Sequence, residues 1–290
     1  MSSPDNPQFE PQAPVNAEVQ PQAYEQGDPF AAAAPIAVPV GPPPVENPIW
    51  NGWDVLAIFA LILVTIFVLQ LGILFGARAL FYPQTSLVDL AQRPLLLLLS
   101  QFLIDGAAAL YIFFYIEGKY HTNFWPAIRW NWPRSAWKLL GMGAVLLFGL
   151  TALQSVLPMP KDTPFDKLFG RPRDAYLLAL IAVTVAPFVE ELFFRGLLYP
   201  VIARRWGVAW GIFLTALPFA LMHLPQYGYA WGVMLVILIV GVACGMVRAA
   251  TKSVAASFLI HAGYNGTQML IAVVVTHGFR TMPKAALWLW

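Results

Sequence analysis

The chain has 290 residues, of which 59% are hydrophobic and 11% are charged. Soluble domains normally carry about 25% charged residues, so this composition excludes an ordinary soluble globular domain and predicts a membrane protein. The net charge is only +2, but residues 1–50 contain six acids and no Lys or Arg, so the rest of the chain is basic. A basic excess beside membrane helices suits anionic lipid headgroups, and nothing here predicts a nucleic-acid partner. The single cysteine, Cys244, excludes an internal disulfide.

The first 49 residues predict a disordered tail. They hold 12 of the 25 prolines, together with many Gln, Ala and Glu residues. Such a composition cannot bury enough apolar surface to fold. The segment also lacks a basic start followed by an apolar stretch, so it does not read as a secretory signal. We therefore predict a solvated tail with no recognisable docking motif.

From Trp50 onward the chain is a series of apolar segments long enough to cross a bilayer. The predicted spans are 55–77, 95–116, 139–157, 175–199, 208–223, 229–247 and 253–276. The fold class is therefore all-α, a polytopic transmembrane helical bundle of seven or eight spans. We divide the chain into the tail at 1–49, N-terminal membrane helices at 50–174, a membrane core at 175–276 and a C-terminal tail at 277–290. Basic residues are equally numerous on the two predicted sides, so the positive-inside rule assigns no orientation.

The fourth span carries three ionisable residues, Glu190, Glu191 and Arg195, in an otherwise apolar stretch. Each costs about 2.5 to 3.5 kcal/mol at the centre of a bilayer on insertion scales, so a function or a pairing is expected. Glu191 and Arg195 are four residues apart with the acid first, which predicts an ion pair on one helix face. Glu190 lies about 100° around the helix and is predicted to stay unpaired. Pro187, just before the acids, predicts a bend.

Two other spans carry polar residues at helical spacing. Phe219 and His223 are four apart on the fifth span, and His261 and Asn265 are four apart on the seventh. A carboxylate removed from water is a stronger base, an imidazole can assist it, and imidazole and amide groups can stabilise an oxyanion, so hydrolysis is one chemistry for this set. Zinc held by Glu190, His223 and His261 is another.

Each feature also has an ordinary structural interpretation. A His or Asn in a membrane helix most often makes an interhelical hydrogen bond, and Phe219 alone reads as packing. Asp105, midway along the second span, is expected to pair with a basic or polar group of the core or to shuttle protons. Gly241 and Gly245 allow close helix approach within the bundle. The hydrolytic interpretation depends on the joint occurrence of the polar residues.

The joint pattern resembles a known family. The three motifs Glu190-Glu191-x-x-x-Arg195, Phe219-x-x-x-His223 and His261-x-x-x-Asn265 stand in this order on successive spans. They are similar to the motifs of the CAAX prenyl protease and bacteriocin-processing family of intramembrane peptidases, also called the Abi family. The resemblance covers roughly residues 175–275. It implies that Glu190 and His223 activate water, that His261 and Asn265 form the oxyanion site, and that Glu191 and Arg195 support the helix.

The resemblance also implies a multi-pass integral membrane protein, in the plasma (inner) membrane if the source is bacterial. Its substrate would be a membrane-tethered protein or a peptide within the lipid bilayer. It leaves open whether the enzyme is of the glutamate type or depends on metal such as zinc. Two other functions compete with this interpretation. One is a non-proteolytic membrane adaptor that acts through the tail, and the other is a proton-coupled transporter that uses Asp105 and Glu190.

Overall fold

The computed structural model describes residues 46–160 and 162–281, and all regular secondary structure in this part of the chain is helical. The α-helices are α1 (Gly52–Leu80), α2 (Leu87–Ala91), α3 (Pro94–Tyr120), α4 (Phe124–Ala127), α5 (Ala136–Gln154), α6 (Pro172–Leu180), α7 (Ala186–Glu191), α8 (Tyr199–Trp206), α9 (Val208–His223), α10 (Trp231–Thr251) and α11 (Val254–Val275). Two 3₁₀ segments lie at Pro164–Phe169 and Leu224–Tyr227, and two π-helical segments lie at Ile181–Val185 and Leu192–Leu198.

The described residues form seven helices that are long and apolar enough to cross a membrane, which confirms the predicted all-α bundle. These are Gly52–Leu80, Pro94–Tyr120, Ala136–Gln154, Pro172–Trp206, Val208–Tyr227, Trp231–Thr251 and Val254–Val275. Each agrees with one predicted span to within a few residues, except that the fourth runs on to Trp206. The chain is therefore that of a multi-pass membrane protein.

The fourth span is one helical rod in which two π-helical segments interrupt the α-helix. The first, Ile181–Val185, ends two residues before Pro187, and the second, Leu192–Leu198, ends two residues before Pro200. A proline has no N–H to donate to the carbonyl four residues earlier, and a wider turn accommodates that lost bond. The sequence predicted only a bend at Pro187. The two wide turns bracket α7, which carries both acids.

The first described residues, from Glu46 to Trp50, differ from the prediction for this segment. Residues 1–45 of the predicted tail lie outside the described residues, but Glu46 is buried at 2% exposure and the Trp50 side chain at 1%. Glu46 forms ion pairs with Arg129 and Arg248 at 3.0 Å, while the Trp50 indole N–H donates to the carbonyl of Leu197 at 3.0 Å. Assigning all of 1–49 to the tail was wrong at Glu46, because these ion pairs compensate the loss of its hydration.

Two helix pairs pack at very short distance through glycine. Gly143 of α5 faces Gly263 of α11, and a methyl group at Gly143 would lie 2.3 Å from the carbonyl oxygen of Ile260. In α10, methyl groups at Gly241 and Gly245 would lie 3.1 Å from Ala216 and 3.0 Å from Ile212 of α9. The predicted role of Gly241 and Gly245 in packing within the bundle is thus confirmed. These contacts fix the packing of α9, α10 and α11, and two of these helices carry His223, His261 and Asn265.

We expect Gly143→Ala to destabilise the protein by about 1 to 3 kcal/mol, because the added methyl group meets backbone atoms of α11 that cannot rotate away. Gly141→Ala is the matched control in the same helix, since a methyl group there meets nothing within 4 Å. Thermal unfolding of both variants in the same detergent measures the difference. Equal melting temperatures for the two variants would show that the space between α5 and α11 is large enough to hold a methyl group at Gly143.

Candidate active site

The four polar residues predicted as catalytic line a single cavity inside the bundle. Glu190, His223, His261 and Asn265 all contribute to a cavity of about 340 Å³. This volume lies at the lower end of the range for sites that hold small ligands. The cavity extends from α7 to the 3₁₀ segments Pro164–Phe169 and Leu224–Tyr227, and α3, α10 and α11 supply apolar walls. The helices thus enclose a mostly apolar space with its polar groups in one region.

Glu190 lies between the two histidines. One carboxyl oxygen is 3.9 Å from His223 Nε2 and the other is 3.7 Å from His261 Nε2. Both separations exceed a direct hydrogen bond but are short enough for a shared small molecule or ion to contact both sides. The Glu190 side chain is 18% exposed, whereas Glu191 is fully buried. The two adjacent acids therefore have different environments, as the helical geometry predicted.

Both histidines use Nδ1 for a contact that orients the ring. His223 Nδ1 is 2.7 Å from the carbonyl oxygen of Phe219, and His261 Nδ1 is 3.0 Å from Glu191 Oε1. A carbonyl or carboxylate oxygen accepts, so Nδ1 carries the donated proton in each ring. In the neutral ring this leaves the Nε2 lone pair directed toward Glu190. One Nε2 atom thereby lies near each oxygen of the Glu190 carboxylate, at 3.9 Å for His223 and 3.7 Å for His261.

Glu191 and Arg195 form the predicted ion pair, at 2.9 Å, and both side chains are fully buried. Arg195 also donates through Nη2 to the carbonyl of Gly241 in α10, at 2.6 Å. Glu191 Oε1 accepts from His261 as well, a contact that spacing along the sequence did not reveal. The pair therefore connects the fourth span with α10 and α11 and fixes the orientation of one histidine of the cavity.

Phe219 is buried against the charged and polar groups of the site. Its ring lies 4.8 Å from the His223 ring and 5.6 Å from the His261 ring, centre to centre. The Arg195 guanidinium carbon is 4.8 Å from the same ring centre, within the range of a cation–π interaction. The Phe219 ring thus contacts both imidazoles and the guanidinium at once.

Asn265 closes the polar region from α11. Its Nδ2 donates to the carbonyl of Ala182 in the first π-helical segment, at 2.8 Å. An amide nitrogen carries two hydrogens, so one remains for a further acceptor. Asn265 also lines the cavity with Glu190.

Asp105 and Gln101 add polar groups from α3. Gln101 Nε2 donates to Asp105 Oδ1 at 2.8 Å, and Gln101 lines the cavity while Asp105 is buried. Asp105 therefore pairs with a polar group, as predicted, but the partner is an exposed residue of its own helix and not a group of the core. Its other oxygen, Oδ2, has no hydrogen-bond partner among the described residues.

A second group of possible metal ligands lies beside the cavity. Ligand atoms of Glu191, Cys244 and His261 are within 4.8 Å of one another, and all three residues are buried. The sequence did not single out Cys244 as part of a cluster, because it lies 53 residues from Glu191 on a different helix. The Arg195 guanidinium, 2.9 Å from Glu191, would repel a cation at this position. Among the described residues, no Lys or Arg is paired with the predicted zinc ligands Glu190, His223 and His261.

Comparison with known proteins agrees with the motifs. Residues 172–267 match a family model described as type II CAAX prenyl endopeptidase Rce1-like. The matched segment is roughly a third of the chain and contains every residue of the three motifs. No curated protein and no solved structure matches the chain. The match confirms the resemblance to CAAX-processing peptidases over this segment and supports an endopeptidase of the membrane.

Proposed function

We propose that this chain is an intramembrane endopeptidase in which Glu190 and His223 activate the attacking water. The observation that carries the proposal is that Glu190, His223, His261 and Asn265 line one cavity within a bundle of membrane-spanning helices. Each of these polar groups would be unfavourable against lipid, and their contributions from three different spans converge on the same space. A shared task explains that convergence better than four separate structural hydrogen bonds.

Glu190 and His223 are suited to hold one water molecule. The carboxylate only accepts hydrogen bonds, and His223 Nε2 accepts when Nδ1 donates to Phe219. A water donating one proton to each group would direct its lone pairs toward a peptide carbonyl carbon. As the water oxygen bonds to that carbon, the proton on the Glu190 side passes to the carboxylate.

Asn265 and His261 would stabilise the negative charge on the former carbonyl oxygen. Asn265 has one amide hydrogen beyond that given to Ala182. His261 can donate from Nε2 only when both ring nitrogens carry protons, and the two carboxylates Glu190 and Glu191 would then balance the two positive charges of Arg195 and His261. The C–N bond then breaks as Glu190 returns its proton to the leaving nitrogen, which yields one carboxyl and one amine product.

The substrate class follows from the surroundings of the cavity. The polar groups lie within the span of the helices, so the scissile bond must reach membrane depth. A segment tethered to the bilayer, or a peptide that partitions into it, would do so. We propose such a chain as the substrate, without assigning a prenyl group to it, and the plasma (inner) membrane as the location if the source is bacterial.

The experiment is cleavage of membrane-tethered peptides by the purified full-length protein in liposomes. We expect internal cleavage by the wild type and a loss of at least 100-fold in His223→Asn, because general-base assistance contributes about 10² to 10⁴ in rate. His121→Asn is the control, since His121 caps the far end of α3 in a left-handed conformation that asparagine tolerates. If the protein were an adaptor or a transporter, neither the wild type nor the variants would cleave the peptides. Equal rates for the two variants would remove His223 from the mechanism.

Zinc at Glu190, His223 and His261 is the alternative mechanism. Bound there, zinc would lower the pKa of a water and polarise the carbonyl. The two Nε2 atoms facing Glu190 are of the right chemical type to hold it, and Glu191 on His261 resembles the carboxylate that orients a metal-bound histidine. We propose the metal-free mechanism because it leaves Glu190 as the base and His261 and Asn265 as donors.

We expect the purified active protein to keep its peptidase activity after exhaustive chelation. Elemental analysis of the same preparation gives the zinc content per chain. Cys244→Ser tests in parallel whether any retained metal resides in the Glu191, Cys244 and His261 cluster. Close to one zinc per chain, with activity lost on chelation and restored by zinc alone, would favour the metalloprotease mechanism.

A further inference from the structure

Away from the cavity, three basic side chains surround the carboxylate of Glu46. Arg248 contacts both carboxylate oxygens, at 3.0 and 3.4 Å, while Arg129 lies 3.0 Å and Lys252 lies 3.4 Å from it. Within the part of the chain that the structure describes, one negative charge in this cluster thus faces three positive charges. Each carboxylate oxygen receives two of these four contacts. Basic side chains in such an arrangement are suited to bind the oxygens of an anion such as a carboxylate or a phosphate.

The cluster has accessible and inaccessible cations. The side chains of Arg248 and Glu46 are each 1% exposed, whereas Lys252 is 31% and Arg129 is 37% exposed. An outside ligand could therefore reach Arg129 and Lys252 without displacing the buried pair. Among the described residues, two buried donors beside the pair also have no hydrogen-bond partner: Arg248 Nε and the hydroxyl of Tyr199. The guanidinium of Arg248 lies over the Tyr199 ring at 5.2 Å.

The position of the cluster along the membrane spans indicates how deep in the membrane its ligand would lie. Lys252 follows the last residue of the span Trp231–Thr251, Arg129 lies in the connector after Pro94–Tyr120, and Glu46 precedes Gly52–Leu80. Ends of membrane spans lie near the headgroups. The same connector carries Trp125, Trp130 and Trp132, residues typical of that layer. A ligand at this depth meets phosphate groups in preference to acyl chains.

We propose that Arg129 and Lys252 form a binding site for the phosphate oxyanion of an anionic phospholipid, next to the buried ion pair of Arg248 with Glu46, whose carboxylate neutralises part of the positive charge. The phosphate contacts Arg129 and Lys252 from the membrane surface while Arg248 stays paired with Glu46. This site is independent of the peptidase chemistry, since none of its residues lines the cavity.

The test measures the thermal stability of the full-length protein in nanodiscs of phosphatidylcholine with and without phosphatidylglycerol. We expect phosphatidylglycerol to raise the melting temperature of the wild type. In Arg129→Gln/Lys252→Gln the phosphatidylglycerol affinity should be about 30-fold weaker, the summed contribution of two basic side chains at a membrane surface. Arg134→Gln/Lys138→Gln is the matched control, because these basic residues lie on the same side of the bundle and do not contact Glu46.

Glu46→Gln gives an independent readout that does not depend on removing a cation. We expect it to be less stable in phosphatidylcholine but to gain more from phosphatidylglycerol than the wild type, because the two accessible cations, Arg129 and Lys252, are no longer partly neutralised by a carboxylate. Inorganic phosphate at matched ionic strength, added to phosphatidylcholine nanodiscs, distinguishes the sources. Stabilisation by free phosphate equal to that by phosphatidylglycerol would assign the site to a soluble anion instead of a lipid. No stabilisation of the wild type, or equal losses in the two double variants, would overturn the site.

Discussion

Replacing Glu190 by glutamine should yield a folded protein with its peptidase activity reduced by about 10² to 10⁴. An amide cannot accept the proton that a carboxylate takes from water. The stability should change by less than about 0.5 kcal/mol, because Glu190 is partly exposed in the cavity and its closest polar neighbours are 3.7 and 3.9 Å away. No direct hydrogen bond is lost.

The measurement pairs the cleavage rate with thermal unfolding on the same preparation. Glu117→Gln is the matched control, since it makes the same chemical change at the far end of α3 and glutamine can still accept from the backbone N–H of Phe124. Activity close to that of the wild type in Glu190→Gln would show that another group is the base. A variant that fails to fold would contradict the assignment of Glu190 as an unpaired carboxylate.

Replacing Glu191 by glutamine should instead mainly destabilise the protein, by about 3 kcal/mol or more. The change leaves the fully buried Arg195 guanidinium without a balancing charge. It also removes the carboxylate that orients His261, so activity of the remaining folded protein should fall as well. The expected signature is a lower melting temperature together with reduced activity.

The double variant Glu191→Gln/Arg195→Gln separates these two effects. Removing both charges should recover part of the stability lost in Glu191→Gln, because no buried ion remains unpaired. Activity should stay low, since His261 still lacks its carboxylate. If Glu191→Gln were stable and inactive while Glu190→Gln were unstable, the roles of the two acids would have to be exchanged.

Much of the architecture could be predicted because lipid imposes a simple rule on sequence. A membrane span must be about 20 apolar residues long, so the seven helices are visible as apolar runs. The ion pair of Glu191 with Arg195 was predictable for a related reason, since residues four apart share a helix face. The same rule grouped Phe219 with His223 and His261 with Asn265. The cost of polar side chains facing lipid also predicts that Glu190, His223, His261 and Asn265 share one cavity inside the bundle.

Contacts between distant parts of the chain were not predictable from local spacing. The bond from His261 to Glu191 joins residues 70 positions apart, and Cys244 approaches the same carboxylate from a third helix. Spacing specifies a helix face, but the rotation of one helix against another depends on packing, here on the close approaches at Gly143 and Gly241. Such contacts can be identified only once the three-dimensional fold is known.

Two local features were missed although the sequence holds a signal for each. Pro187 and Pro200 both follow π-helical segments, whereas the sequence predicted only a bend at Pro187. Glu46 was assigned to the tail on composition, while its partners Arg129 and Arg248 come from connectors and helix ends far along the chain. Composition averages over a segment and therefore misses one buried acid at its end.

The most direct test of the proposed mechanism follows the oxygen of the attacking water. The full-length protein in liposomes is incubated with membrane-tethered peptides in water enriched in ¹⁸O, with the protein in molar excess over the peptide. The products of this single turnover are identified by mass spectrometry. The mechanism predicts internal cleavage, one ¹⁸O atom in the new carboxyl group, and a cleavage rate about 10² to 10⁴ times lower with Glu190→Gln. Cleavage by Glu190→Gln at the wild-type rate, or ¹⁸O found in a carboxyl group of the enzyme instead of the product, would contradict it.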